Sequence, residues 1–340
     1  MLARIRDGLN FLSKLNYRRF QNGMAVLMSY YMARLTKQGR IAGSPVSISI
    51  EPTTYCNLRC PQCPSGLRSF SRPTGKLDYA LFKKVIDELY PELMYLILYF
   101  QGEPFLHRDI LAMIRYANQH KLYTATSTNA HQITSAYARE IVESGLDRLI
   151  VSLDGTSQDT YEQYRVGGQL EKVLAGINHL CEWKTKLRSK TPHLIIQFLV
   201  FKQNEHQVDQ VLKLKKLEGV DEVRLKTAQI YDFAQGSDLL PVQEKYRRYT
   251  TESGGKFRIK NKLLNHCWKM WHSCVITWDG GVAPCCFDKD AKYRLGNLNS
   301  ESFQSIWQGE AYHSFRKRIL GGRKQIDICQ NCTEGTKIWL

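Results

Sequence analysis

Between residues 46 and 227 short β-like runs alternate with longer helical ones, and this alternation limits the fold more than any other feature of the chain. Candidate strands are 46–51, 93–100, 122–127, 148–153, 194–201 and 222–226, and helical stretches lie near 78–90, 107–120, 134–144, 157–182 and 204–217. In 170–181, Leu170, Val173, Leu174, Ile177 and Leu180 fall on one stripe, and Cys181 joins them as a core thiol. Strand–helix units repeated in this way imply a parallel sheet with right-handed crossovers. Six units are too few to close an eight-stranded barrel. The expected fold is therefore α/β, a partial (β/α)6 TIM-like barrel with functional residues at the C-terminal ends of its strands.

Three further regions frame that barrel. Residues 1–45 read as a basic helical segment, with Arg4, Arg6, Lys14, Arg18, Arg19, Arg34, Lys37 and Arg40 against Asp7. Leu9, Leu12, Leu15, Val26 and Leu27 recur there at roughly helical spacing. Packing of this segment across the main domain is the favoured expectation, and a membrane surface is the alternative. Residues 228–265 break the pattern with Gln235, Gly236, Pro241, Gly254 and Gly255, and read as a linker or bridge; residues 266–340 form a small cysteine-rich unit. The 48 Lys and Arg against 32 Asp and Glu give a net charge of +16, which favours anionic partners without choosing among them. The stretch 24–32 contains Ser29 and is too short to span a bilayer, and no secretory signal is visible. The expected location is the cytoplasm.

The ten cysteines fall as a triplet, a C-terminal set and lone Cys181. The triplet Cys56, Cys60 and Cys63 directly follows the first candidate strand, in a loop interrupted by Pro61. Iron–sulfur clusters usually have four cysteine ligands, so three thiolates would leave one iron open. A structural zinc site with a fourth ligand from elsewhere is the competing reading. The C-x3-C-x2-C pattern in this position resembles the radical S-adenosylmethionine superfamily. Gln101-Gly102-Glu103-Pro104, Thr126 to Ala130, and Ser152-Leu153-Asp154-Gly155 with Arg165 beyond it resemble that family's later strand-end segments, in order. The resemblance implies a [4Fe–4S] cluster whose open iron chelates S-adenosylmethionine, and a 5′-deoxyadenosyl radical that takes a hydrogen atom from substrate. It also implies that Gln101, Gly102, Glu103, Ser127, Asn129, Ser152, Asp154 and Arg165 bind the cofactor. Gln62 stands where the family usually has an aromatic residue, so Tyr55 or Phe100 is expected to meet the adenine.

Asp279-Gly280 between two β-like runs signals a hairpin, and cysteines flank it. Cys267, Cys285, Cys329 and Cys332 can complete a four-thiolate site, with Cys274 or Cys286 as substitutes. Together with Leu295-Gly-Asn297 and Ser305-Ile-Trp307 this unit resembles the twitch or short SPASM module, which implies one auxiliary [4Fe–4S] cluster; a zinc-ribbon-like site is the alternative. The expected protein is a radical enzyme acting on a small molecule or peptide, with an electron donor such as flavodoxin or ferredoxin. The other readings are a non-catalytic metal-binding protein, or a nucleic-acid modifier using Arg68, Arg72, Lys76, Arg247, Arg248, Lys256, Arg258, Lys260 and Lys262. No recognisable nucleic-acid module accompanies those bases. Glu103, His107, Lys226 and Asp288 are candidate acids or bases.

Overall fold

The computed structural model describes residues 2–252 and 255–338, so Gly254 of the bridge lies outside the described residues. It begins with two helices, α1 (Leu2–Ser13) and α2 (Tyr17–Thr36). Asn16 caps α2, accepting the Arg19 N–H at 2.9 Å, which satisfies one of the donors left free in a first helical turn. Six parallel strands follow, with helices between them. In chain order these are β1 (Ser47–Ile50), α3 (Pro64–Leu67), α4 (Tyr79–Leu89), β2 (Tyr95–Ile97), α5 (Ile110–Gln119), β3 (Tyr123–Thr128) and α6 (Ser135–Glu143). Then come β4 (Arg148–Ser152), α7 (Gln158–Tyr164), α8 (Leu170–Lys186), β5 (His193–Val200), α9 (Val208–Lys213) and β6 (Glu222–Thr227). Asp78 and Thr134 cap α4 and α6.

Two helical expectations need correction. The stretch 157–182 is two helices, because Gly167, at φ +79°, and Gly168 turn the chain after Arg165. Within 204–217 only Val208–Lys213 is α-helical, flanked by 3₁₀ turns. The bridge carries structure of its own. It contains the hairpin β7 (Tyr249–Thr251) and β8 (Phe257–Ile259).

The C-terminal unit continues the barrel sheet. After α10 (Lys269–His272), strand β9 (Ser273–Ile276) runs parallel to β1, with Ser47 opposite Ser273 and Ile50 opposite Ile276. It turns into β10 (Gly281–Ala283), and β11 (Gly296–Asn297) completes a nine-stranded sheet of order β11-β10-β9-β1-β2-β3-β4-β5-β6. The pairing uses the backbone groups that β1 would otherwise present as an open edge. Helices α11 (Phe303–Trp307), α12 (Glu310–Gly322) and α13 (Asp327–Gln330) close the unit.

The N-terminal segment packs across the body, but with its faces reversed. Helix α1 lies over the N-terminal ends of the strands: Asp7 pairs with Arg148 and receives the Tyr123 hydroxyl, while Asn10 and Lys14 reach Asp147. The ring of Phe11 sits 5.2 Å from that of Tyr123. Helix α2 packs on the C-terminal unit, where Tyr30 meets Trp268, Trp271 and His266. Val26 is buried, but Leu9, Leu12 and Leu15, expected on an inward stripe, face outward.

Candidate functional site

The C-terminal ends of the strands surround a cleft of about 420 Å³ in which Cys56, Cys60 and Cys63 lie. The loop that carries them is shaped by close backbone packing. A Cβ on Gly66 would stand 2.5 Å from the Cys60 backbone, and Pro64 opens α3 directly after Cys63. Hydrogen-bond donors point at the sulfurs: the Leu58 N–H at 3.4 Å and the Asn129 side-chain amide at 3.9 Å from Cys56 Sγ. Arg165 Nη1 is 3.9 Å from Cys60 Sγ. Burial pushes the Cys56 thiol up to about 12 and raises that of Cys60, so neither ionises readily without a cation beside it. Three thiols lining one cleft, Cys56 met by N–H donors and buried Cys60 by a guanidinium, fit a thiolate-ligated iron–sulfur group.

Around the triplet, β2 delivers Gln101, Gly102 and Glu103, β3 delivers Ser127 and Asn129, and Ser152 ends β4; all line the cleft with Arg165. Gly102 sits at φ +74°, where a Cβ would stand 2.2 Å from the Thr53 carbonyl oxygen. Only glycine lets that strand end come so close to the loop. Asp154 lies behind the wall and is fully buried, with one oxygen taking Arg165 Nε at 2.6 Å and the other the Leu199 N–H at 2.7 Å. It fixes the guanidinium.

Several expected roles do not fit the geometry. The Glu103 carboxylate is consumed by Thr128 Oγ1 at 2.8 Å and the N–H groups of Asn129 and Phe105, so it locks β2 to β3 and only its backbone remains for a ligand. As acid–base candidates, His107 is tied to the Leu77 carbonyl and the Asp109 N–H, and Asp288 accepts the N–H groups of Lys292 and Tyr293. Lys226 is exposed and does not line the cleft. Phe100 lines the cleft, whereas Tyr55 is 49% exposed outside it, and Gln62 accepts the Tyr231 N–H at 3.0 Å.

Other lining residues were not anticipated. Gln197 interrupts the apolar run of β5, a signal legible in sequence; Tyr164, Gln229 and Lys289 gave none. Lys289 comes from the C-terminal unit. A second cavity of about 350 Å³ shares Tyr99 and Phe100 with the cleft and reaches Cys285, Cys286 and Lys269.

The C-terminal cysteines gather around Arg323, which is fully buried. Its Nη2 lies 3.2 Å from Cys332 Sγ and 2.7 Å from the Glu334 carbonyl, and its Nη1 donates to the His266 carbonyl beside Cys267. A Cβ on Gly335 would stand 2.3 Å from Cys267 Sγ. Burial, reinforced by Cys286, Cys332 and Cys267 as neighbours, raises the Cys285 thiol strongly. Cys329 is buried on α13, Cys274 is held in β9 opposite Ile48, and Cys286 is exposed beside Lys269 Nζ at 3.9 Å. This donor set likewise fits an iron–sulfur group. Among the described residues, no three His, Cys, Asp or Glu side chains are arranged to hold a single metal ion.

The profile of the Radical SAM superfamily matches residues 50–214, and that of SPASM, an iron-sulfur cluster-binding domain, matches residues 267–333. The chain is 28% identical over 305 residues, 78% of its length and 82% of the relative's, to the tungsten-containing aldehyde ferredoxin oxidoreductase cofactor-modifying protein of Pyrococcus furiosus. Its fold is similar to anSMEcpe with bound AdoMet (TM-score 0.61, 17% identity, 84% of this chain and 88% of that one). It is also similar to Streptococcus suis SuiB bound to S-adenosylmethionine (0.60, 15%, 84% and 70%) and to BtrN in complex with AdoMet and 2-DOIA (0.52, 18%, 86% and 95%).

Proposed function

Because this chain belongs to the radical S-adenosylmethionine superfamily and carries a SPASM iron–sulfur domain, we propose that Cys56, Cys60 and Cys63 hold its radical-generating cluster and that Cys267, Cys285, Cys329 and Cys332 hold one auxiliary cluster. With S-adenosylmethionine bound, the reduced first cluster would supply the one electron that breaks its C5′–S bond, releasing methionine and a 5′-deoxyadenosyl radical able to take a hydrogen atom from substrate. The protein places the reactants and excludes water. Gly102 offers backbone at the cofactor's amino end, and Arg165, held by Asp154, presents its fork to the carboxylate. Ser127, Asn129, Ser152 and Gln101 complete the polar wall.

The substrate, a small molecule or a peptide, enters between the two cysteine sets. The observation that carries this reading is the shared wall: Lys289 from the C-terminal unit lines the first cleft, and Tyr99 and Phe100 line both cavities. An auxiliary cluster held by the C-terminal cysteines would lie beyond this wall and would supply an acceptor for a second electron from the substrate. The electron donor is a flavodoxin- or ferredoxin-type carrier.

The nucleic-acid reading loses ground because Arg72 is buried in a two-pronged pair with Glu51, at 2.8 and 2.6 Å. The test is anaerobic reconstitution, reduction and incubation with S-adenosylmethionine. About 8 iron per chain is expected for two four-iron clusters. Cys60→Ala should make no 5′-deoxyadenosine, whereas Cys332→Ala should still make it and fail to complete turnover. No 5′-deoxyadenosine from the unaltered protein would refute the reading.

A further inference from the structure

Helix α1 turns its polar face into the molecule, and α2 buries Arg19 and Asn22 alongside Val26, Tyr30 and Ala33. Asp7, Asn10 and Lys14 bond to the strand ends, and Arg19 donates to the carbonyls of Lys14, Tyr90, His120 and Lys121. What they turn outward is apolar. On α1 this is Leu2 (82% exposed), Ile5, Leu9 and Leu12; on α2 it is Phe20, Met24, Met28, Tyr31 and Leu35 (77% exposed). The spacing of three or four residues makes one continuous stripe on each helix. Such a stripe in water is costly unless something covers it.

Charge identifies the covering surface. Residues 1–40 contain eight bases and a single acid, Asp7, which is buried against Arg148; Arg4, Arg6, Lys14 and Arg18 pair with acids of the body and Arg19 is buried, so Arg34, Lys37 and Arg40 are the bases without an ion pair among the described residues. The outward face of these helices therefore carries no negative charge among the described residues, and exposed Lys37 and Arg40 stand at its end. An apolar groove of about 640 Å³ runs beside α2, lined by Met28, Met32 and Ile41 with Arg40 at its edge. That suits an acyl chain beneath an anionic headgroup. A second copy would bring one basic segment against another. No helix among the described residues is long and apolar enough to cross a membrane.

We propose that the α1–α2 face lies on the surface of a bilayer containing anionic lipid, with the apolar stripes among the acyl chains and Lys37 and Arg40 at headgroup level. Because α1 covers the N-terminal ends of the strands, the cofactor cleft at their C-terminal ends faces away from the lipid. The proposal does not depend on the reaction catalysed.

The test is co-sedimentation of the full-length, cluster-loaded protein with vesicles of phosphatidylcholine containing about one-third phosphatidylserine, and with vesicles of phosphatidylcholine alone. Partitioning should be at least about tenfold greater on the anionic vesicles and should weaken with salt. Leu9→Ser with Met28→Ser, both at exposed positions, should lower it at least about tenfold with circular dichroism and 5′-deoxyadenosine production unchanged. Lys37→Gln with Arg40→Gln should remove most of the preference for anionic lipid. Absence of binding, equal binding to neutral vesicles, or binding indifferent to both double variants would overturn the proposal. So would a self-association or a protein complex that the apolar variant abolishes while vesicles are ignored.

Discussion

Gly102 and Arg165 show how single residues set the cleft around Cys56, Cys60 and Cys63. At Gly102 the left-handed backbone and the 2.2 Å approach of a hypothetical Cβ to the Thr53 carbonyl leave no room for a side chain. Gly102→Ala should cost about 2–3 kcal/mol in urea denaturation and weaken S-adenosylmethionine binding, since the strand end must move off the cysteine loop. Arg165 is held through Nε by Asp154 while Nη1 approaches Cys60. Arg165→Lys keeps the charge but loses the fork, so S-adenosylmethionine affinity should fall about tenfold with iron content unchanged, as measured by equilibrium binding. Loss of iron together with affinity would instead make Arg165 a support of the cluster alone.

Among the elements, α1 depends on ion pairs at the strand starts. Glu222 at the start of β6 receives Arg4 and Arg224, each at 2.6 Å. Burial opposes ionisation of Glu222, but these two arginines prevail and bring its carboxyl down from 4.5 to about 2. The fold thus favours the charged form. Its stabilisation is full above about pH 4.5 and is lost as pH falls towards 2. Glu222→Gln should cost on the order of 1–2 kcal/mol at pH 7, allowing for screening of exposed Arg4, and should flatten the acid limb of the stability curve. Proteolysis within α1 should also become faster. The same helix was legible from its spacing but not in its orientation, because a period of 3.6 says which residues share a stripe and not which stripe is buried.

For the whole molecule, the hydrogen-bonded pairing of β9 with β1 makes the C-terminal unit part of the barrel sheet. Trp268, Trp271, Trp278 and Trp307 report on that unit, whereas most helix lies in the barrel. Fluorescence and far-ultraviolet circular dichroism should therefore give coincident urea midpoints. Two separated transitions would show that the pairing does not couple the units. The same continuity places Lys289 in the first cleft and brings Tyr99 and Phe100 between the two cavities.

By itself the sequence determined the strand–helix alternation, the parallel sheet and the loop in which Cys56, Cys60 and Cys63 stand, because periodicity and cysteine spacing are local and survive without knowledge of contacts. It also marked the strand-end segments from Gln101 to Arg165 in their order. Only the tertiary structure decided that Glu103 is a brace, that Arg72 is buried on Glu51, that Arg323 is a buried cation among the C-terminal cysteines, and that α1 and α2 face outward with their apolar stripes. Each of these depends on partners distant in the chain. Whether a charge or an apolar stripe meets water or protein is fixed by packing, and no local pattern encodes it.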